Sequence, residues 1–130
     1  MLGRRAILNA QSKGIIVVAS AGNNLPFAVW PSVYNQVIAV ASSTYKNTLA
    51  RHSARGSRIN IAAPGDMVWC ATSKNWTEHS YEPRSGTSFA TPLIAGLAAL
   101  WLSRWGGRDN LCQRYEYEVF WINLLLFSNI

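Results

Sequence analysis

Thr87-Ser88-Phe89-Ala90-Thr91-Pro92-Leu93-Ile94-Ala95-Gly96-Leu97-Ala98-Ala99-Leu100-Trp101-Leu102-Ser103-Arg104-Trp105 is the stretch that decides the fold. Wound as a helix, it carries apolar residues on every side. Leu93, Ile94, Leu97, Leu100 and Trp101 stand beside Ala90, Ala95, Gly96, Ala98 and Ala99. A helix that is apolar all round is a buried one, so the sequence predicts a central helix over 87–105. Its small residues let neighbouring strands approach closely. Pro92 falls in the early turns, where a missing amide donor is tolerated best, and Gly106-Gly107 closes the helix. The apolar run from 89 to 102 is shorter than the ~20 residues a membrane-spanning helix needs.

Upstream, the chain alternates short apolar runs with turns. Ile15-Ile16-Val17-Val18-Ala19 is β-branched and apolar throughout, as a strand covered on both faces reads. Residues 37–41, Val-Ile-Ala-Val-Ala, have the same character. A third strand is predicted over 59–63, ending at the turn pair Pro64-Gly65. A short fourth is predicted over 67–72. The polar segment 74–84 reads as a loop. Residues 6–13 read as the end of a helix, with Ile7, Leu8 and Ala10 on one side and Gly14 as its stop. The tail from 106 reads as one more helix around 116–127. There is no internal repeat, low-complexity tract or linker, so the expectation is a single domain over 1–130, with no second one.

The 130 residues hold 49% apolar and 14% charged side chains, enough apolar material for a core, which excludes general disorder. Two cysteines, Cys70 and Cys112, make neither a disulfide framework nor a four-ligand zinc site. Met1-Leu2-Gly3-Arg4-Arg5-Ala6 is basic, but no long apolar run follows before a cleavage-type site, so no signal peptide is read. The formal net charge of +6 permits an anionic partner without identifying one.

Two short segments carry the chemistry. In Ser85-Gly86-Thr87-Ser88-Phe89-Ala90-Thr91-Pro92, Ser88 sits at the mouth of the buried helix. Unpaired N–H groups and the positive end of the helix dipole lie beside it and can stabilise charge developing on a substrate oxygen. Gly86 lets a substrate come close to the backbone. In Ala19-Ser20-Ala21-Gly22-Asn23-Asn24, an asparagine follows directly on a strand. Sites in open α/β sheets gather at such carboxyl ends, and an asparagine amide there can point at a reacting carbonyl oxygen. Each segment also has an ordinary reading, since small residues cap helices and Gly-Asn makes turns.

Taken together, these motifs resemble those of the subtilisin-like serine peptidases, the subtilases. Gly86-Thr87-Ser88-Phe89-Ala90-Thr91-Pro92 matches every fixed position of the family's Gly-Thr-Ser-x-Ala-x-Pro motif. Ala21-Gly22-Asn23, Trp30-Pro31-Ser32, residues 35–40 and Ala63-Pro64-Gly65 match further family segments in the family's order. The resemblance covers about residues 6–105 and leaves 106–130 unassigned. It implies a three-layer α/β fold, with a mostly parallel sheet between helices, present here incompletely. It implies Ser88 as nucleophile. Asn23 would be the side-chain half of the oxyanion hole, and the Ser88 N–H the other half. Ser20, Ala21 and Gly22, with Gly86 and Thr87, would border the bound peptide. Pro31 corresponds to a proline that is often cis in the family.

A serine hydroxyl is a weak nucleophile until a base takes its proton. The family's aspartate and histidine motifs, Asp-Thr/Ser-Gly and His-Gly-Thr, occur nowhere in these residues. The expectation is therefore the C-terminal half of a catalytic domain, with the acid–base pair in an N-terminal half that this chain lacks. His52, Asp66 and Ser88 follow another known triad order. Yet residues 51–56 match a surface turn of the family, and Asp66 after Pro64-Gly65 is an ordinary turn residue. His79 reads as a solvated loop histidine.

The arginines at 51, 55 and 58 form a basic cluster without the aromatic pattern of a nucleic-acid module, and read as solvated surface. Cys70 reads as a buried structural thiol. No cofactor is expected. Calcium sites are common in subtilases, but no Asp-rich loop here supplies the necessary oxygens. The six tryptophans read as packing residues, with Trp30 and Trp76 also candidates to line a peptide groove.

The first functional reading is a serine endopeptidase acting on peptide or protein, with no nucleic-acid or membrane partner. The alternative is an inactive subtilase remnant that binds peptides or a partner protein. The resemblance implies secretion.

Overall fold

The structure is a computed structural model that describes residues 2–75 and 78–105. The chain divides into two compact units, residues 18–95 and residues 1–17 with 96–130. The elements run α1 (Leu2–Ser12), β1 (Val17–Ser20), β2 (Val37–Ser43), β3 (Ile61–Pro64), β4 (Val68–Asn75), β5 (Glu78–Arg84) and α2 (Thr87–Trp105).

α1 ends because Gly14 takes a left-handed conformation, φ 67°. Gly14 N donates to Gln11 O at 2.9 Å, and Ile15 N donates to Ala10 O at 3.0 Å. This pair of reverse bonds satisfies the last carbonyls of a helix, and glycine fills the position without a Cβ penalty. The stop expected at Gly14 is therefore a hydrogen-bonded cap.

β1, β2 and β3 form one sheet in that order, with β2 and β3 parallel and Val40 opposite Ile61. β2 is the middle strand and is buried from Val37 to Ser42, which is why its sequence is apolar without alternation. Asn60 extends the pairing before β3 begins. Its Oδ1 accepts from Ala39 N at 2.8 Å, and its own N–H donates to Ala39 O at 3.0 Å. β1 is half-buried along its whole length, and Ile15 lies outside it, 45% exposed. The sheet and helices form a partial α/β fold, the class the sequence implies.

Of the loop expected over 74–84, residues 74–75 end β4 and residues 78–84 form strand β5, paired antiparallel with β4 as a two-stranded ribbon. The reason is visible in the register. Trp69 lies opposite Pro83, Ala71 opposite Tyr81 and Ser73 opposite His79, and every one of these is exposed. A ribbon with an open face does not need the apolar alternation by which strands are read. Hydroxyls help to hold it, as Thr72 Oγ1 and Ser80 Oγ lie 2.7 Å apart.

α2 spans the predicted residues. Ala90, Ile94, Ala98 and Trp101 step by three or four positions and are buried. Leu93 and Leu100 lie off that stripe and are 50% and 70% exposed. The expectation of burial on every side therefore fails among the described residues, which carry more apolar helix surface than they cover. The helix expected around 116–127, Cys112 and Trp76 lie outside the described residues.

Candidate active site

The site lies within residues 18–95, where the end of β1 meets the start of α2. After β1, Ala21 is fully buried. Its N–H donates to Val40 O and its carbonyl accepts from Val29 N, both at 2.9 Å. Gly22 follows with φ 112°, and a Cβ there would meet Val29 Cγ2 at 3.0 Å. Only glycine fits both the angle and the space. The turn delivers Asn23 to the surface, exposed, beside the first residues of α2.

The first turn of α2 has its amide donors sorted. Thr87 N donates to Asn23 Oδ1 at 2.9 Å, and Phe89 N donates to Gly86 O at 3.0 Å. The Ser88 N–H between them has no acceptor among the described residues. Thr87 is fully buried, and its hydroxyl works in both directions. It donates to Asn23 Oδ1 at 3.2 Å and accepts from Gly22 N at 3.3 Å.

These bonds fix the asparagine amide. Oδ1 takes two donors from Thr87, so the amide nitrogen is turned away from them. It lies 3.5 Å from the point where a Cβ on Gly86 would stand. The Asn23 NH2 and the Ser88 N–H are thus two donors without assigned acceptors at one corner. The Ser88 side chain is exposed beside them. Preorganised donors of this kind favour an oxygen that gains negative charge, and the helix start adds the positive end of its dipole.

Each residue named from the sequence has a definite place. Ser20 closes β1, and Ala21 and Gly22 form the turn. Gly86 is buried and precedes the helix. The Trp30–Pro31 bond is cis, and the Trp30 ring meets the Tyr34 ring edge-on at 4.5 Å between centroids. Trp30 is 69% exposed, so it is not a core tryptophan.

His52 and Asp66 do approach one another, with Nδ1 and Oδ1 4.0 Å apart. That is longer than a hydrogen bond. Asp66 Oδ1 instead accepts from Ser85 Oγ at 2.8 Å. The serine that engages this aspartate is therefore Ser85, not Ser88. His79 sits on β5 and not in a loop. Cys70 is half-buried rather than buried, with Sγ 3.4 Å from Val68 O. Arg51, Arg55 and Arg58 are exposed. Among the described residues, no group of three or more His, Cys, Asp or Glu side chains is placed to hold a metal ion, and no helix is long and apolar enough to cross a membrane.

Sequence reading missed the role of Gly65. A Cβ there would lie 2.6 Å from Ser42 Oγ and 2.8 Å from Gly86 O. Gly86 N donates to Gly65 O at 2.8 Å, so two backbones touch directly behind the helix start. The only signal in the sequence was a glycine in a turn pair.

The fold and this corner together define a subtilase. The profile of the subtilase family matches residues 3–113, and the chain belongs to that family, peptidase S8. It is 36% identical over 109 residues to thermitase of Thermoactinomyces vulgaris, covering 83% of this chain and 38% of thermitase. It is 42% identical over 98 residues to the halolysin-like extracellular serine protease Nep of Natrialba magadii, covering 75% of this chain and 17% of that protein. Among solved structures it is similar to the prenylagaramide maturation protease PagA. There the TM-score is 0.69 and the identity 30%, over 77% of this chain and 36% of the other. The chain thus spans well under half the length of these relatives.

Proposed function

We propose that this chain is the nucleophile-bearing part of a serine endopeptidase. Ser88 Oγ attacks the carbonyl carbon of a peptide bond. The carbonyl oxygen becomes an oxyanion and takes hydrogen bonds from the Asn23 amide and the Ser88 N–H. A base removes the hydroxyl proton and returns it to the departing amine, leaving an acyl group on Ser88 that water then hydrolyses. Ser20, Gly22 and Gly86 border the peptide, whereas Ala21 and Thr87, both fully buried, support that border from behind without touching it. The observation that carries this reading is the pair of hydrogen bonds that Thr87 donates to Asn23 Oδ1, which turns the amide donors outward beside an open Ser88 N–H.

The base and its orienting carboxylate come from residues outside these 130, in a parent polypeptide or a second chain. His52 does not stand in, because its Nε2, the nitrogen that would have to take the proton, is buried and has no hydrogen-bond partner, Ser88 included. The partner in this proposal is a peptide or protein, with no part for nucleic acid or membrane. Secretion of the parent belongs to the same proposal, supported by the name of the extracellular relative.

The test is covalent labelling. The purified chain is incubated with an active-site serine phosphonate, alone and with an N-terminal subtilase half. Label on Ser88 in the mixture is the expected result. No label in either case sinks the catalytic reading and leaves peptide binding without turnover.

A further inference from the structure

The bonds around Asn23 continue into a closed circuit, and one member of it has no part in the chemistry above. Asp66 is followed by Met67, which holds a left-handed φ of 56°. An aspartate in an ordinary turn bonds its own backbone two residues on. Asp66 does not. Its Oδ1 reaches 19 positions along the chain to accept from Ser85 Oγ at 2.8 Å. The same Ser85 oxygen accepts from Met67 N at 2.9 Å, and Gly86 N donates to Gly65 O at 2.8 Å. Residues 65–67 therefore grip 85–86, the two residues before Thr87, through three hydrogen bonds.

The return path to the segment that holds Asn23 runs through β2, because His52 Nδ1, 4.0 Å from Asp66 Oδ1, is beyond hydrogen-bond distance. Gly65 N donates to Ser43 O at 3.1 Å, and Ser42 N donates to Ser53 Oγ at 2.9 Å. The His52 carbonyl accepts from Asn24 N at 2.7 Å, and Ala54 N donates to Gly22 O at 2.9 Å. Backbone on both sides of Asn23 is thus fastened to 52–54. The circuit closes where Asn23 Oδ1 accepts from Thr87. A single link between two segments acts as a hinge, whereas a second link at a distance from the first fixes their angle. Two oxyanion donors as far apart in the chain as Asn23 and Ser88 need that angle fixed, because both must meet one oxygen at about 2.7–3.1 Å.

We propose that Asp66 is a positioning residue: bonded to Ser85, it fixes the Asn23 amide relative to the Ser88 N–H. Its functional meaning rests on the reading of Ser88 and Asn23 given above, while its structural content stands apart from it. The test is amide hydrogen exchange by NMR on the full 130-residue chain, with Asp66→Ala, Asp66→Asn and Ser85→Ala. Asp66→Ala and Ser85→Ala should each speed exchange at the Thr87 and Asn24 amides about tenfold, through loss of one charge-assisted bond. The Asn23 side-chain NH2 resonances should shift, and β2 amides should stay unchanged. Asp66→Asn keeps an acceptor for Ser85 and should restore slow exchange.

Unchanged Thr87 and Asn24 exchange overturns the proposal. So does uniform acceleration that includes β2, which would make Asp66 a support of the whole fold, and so does failure of Asp66→Asn to rescue. If Asp66→Ala does not fold, Ser85→Ala carries the test, since Ser85 is exposed. Phosphonate labelling is read separately. A wild-type chain that never labels defeats the catalytic reading and leaves the exchange result to decide the brace. An Asp66→Ala chain labelled at the wild-type rate overturns the brace.

Discussion

The corner formed by Asn23 and Thr87 and the β4–β5 ribbon lie on either side of Gly86, and they are built in opposite ways. At the corner every group is constrained. Thr87 is fully buried, its hydroxyl has two partners, and Gly22 and Gly65 leave no room for a Cβ. On the ribbon, Trp69 is 71% and Tyr81 74% exposed, and Ala71, Ser73, His79 and Pro83 on the same face are exposed with them. Close packing makes each atom matter. An exposed pair of strands tolerates almost any residue that keeps an extended backbone. The difference predicts a steep gradient of mutational cost over a short stretch of chain.

The steepest point is Gly65. Gly65→Ala places a methyl 2.8 Å from Gly86 O and 3.0 Å from Ala90 Cβ, and neither is the end of a flexible side chain. The backbone that carries Gly86 must move. We expect a loss toward the upper end of the ~1–3 kcal/mol typical of overpacking. It should appear as a lower urea midpoint with an unchanged slope. Unaltered stability would show that the two backbones are not held together there.

Thr87→Val comes next. Valine keeps the shape but removes the hydroxyl that Gly22 N donates to and that Asn23 Oδ1 accepts from. The expected loss is about 1–2 kcal/mol, for a part-buried donor left without a partner. Thr87→Ser keeps both bonds and should recover the orientation of the Asn23 amide. In a chain complemented so that Ser88 reacts, Asn23→Ala should slow acylation by ~10²–10³, the magnitude known for loss of this donor in a subtilisin and taken over unchanged. Stability should fall as well, by about 1–2 kcal/mol, because alanine leaves the buried Thr87 N–H and hydroxyl without their Oδ1 acceptor.

The same contrast explains which parts of the molecule could be read from the sequence. α2 was legible because its apolar residues, its opening Gly86-Thr87-Ser88 and its closing glycines all point one way. β2 was legible because burial on both faces leaves an uninterrupted apolar run. Asn23 and Ser88 were legible as motif positions, and their neighbours in the motif, Gly22 and Thr87, prove to be the groups that orient them. β5 was not legible. Glu78, His79, Ser80 and Glu82 carry no apolar period, since the ribbon buries no face completely. Nor was the contact of Asp66 with Ser85. It joins residues on the two sides of the ribbon, and depends on β4 and β5 pairing in the observed register. Local patterns report local burial, whereas contacts made by folding back appear only once the register is known.

At the shallow end stand two ribbon substitutions. Ser80→Ala removes the hydroxyl pair with Thr72 and should cost about 0.5 kcal/mol, as cross-strand polar pairs do. Tyr81→Thr should cost less still. Tyr81 lies opposite Ala71 on the open face and is 74% exposed, so little apolar area is lost when its ring is removed. Threonine suits an extended backbone as tyrosine does. The change should stay within about 0.5 kcal/mol of wild type in urea unfolding. A loss as large as that of Thr87→Val would mean that the tyrosine ring is covered in solution, and the ribbon would then belong with the corner rather than in contrast to it.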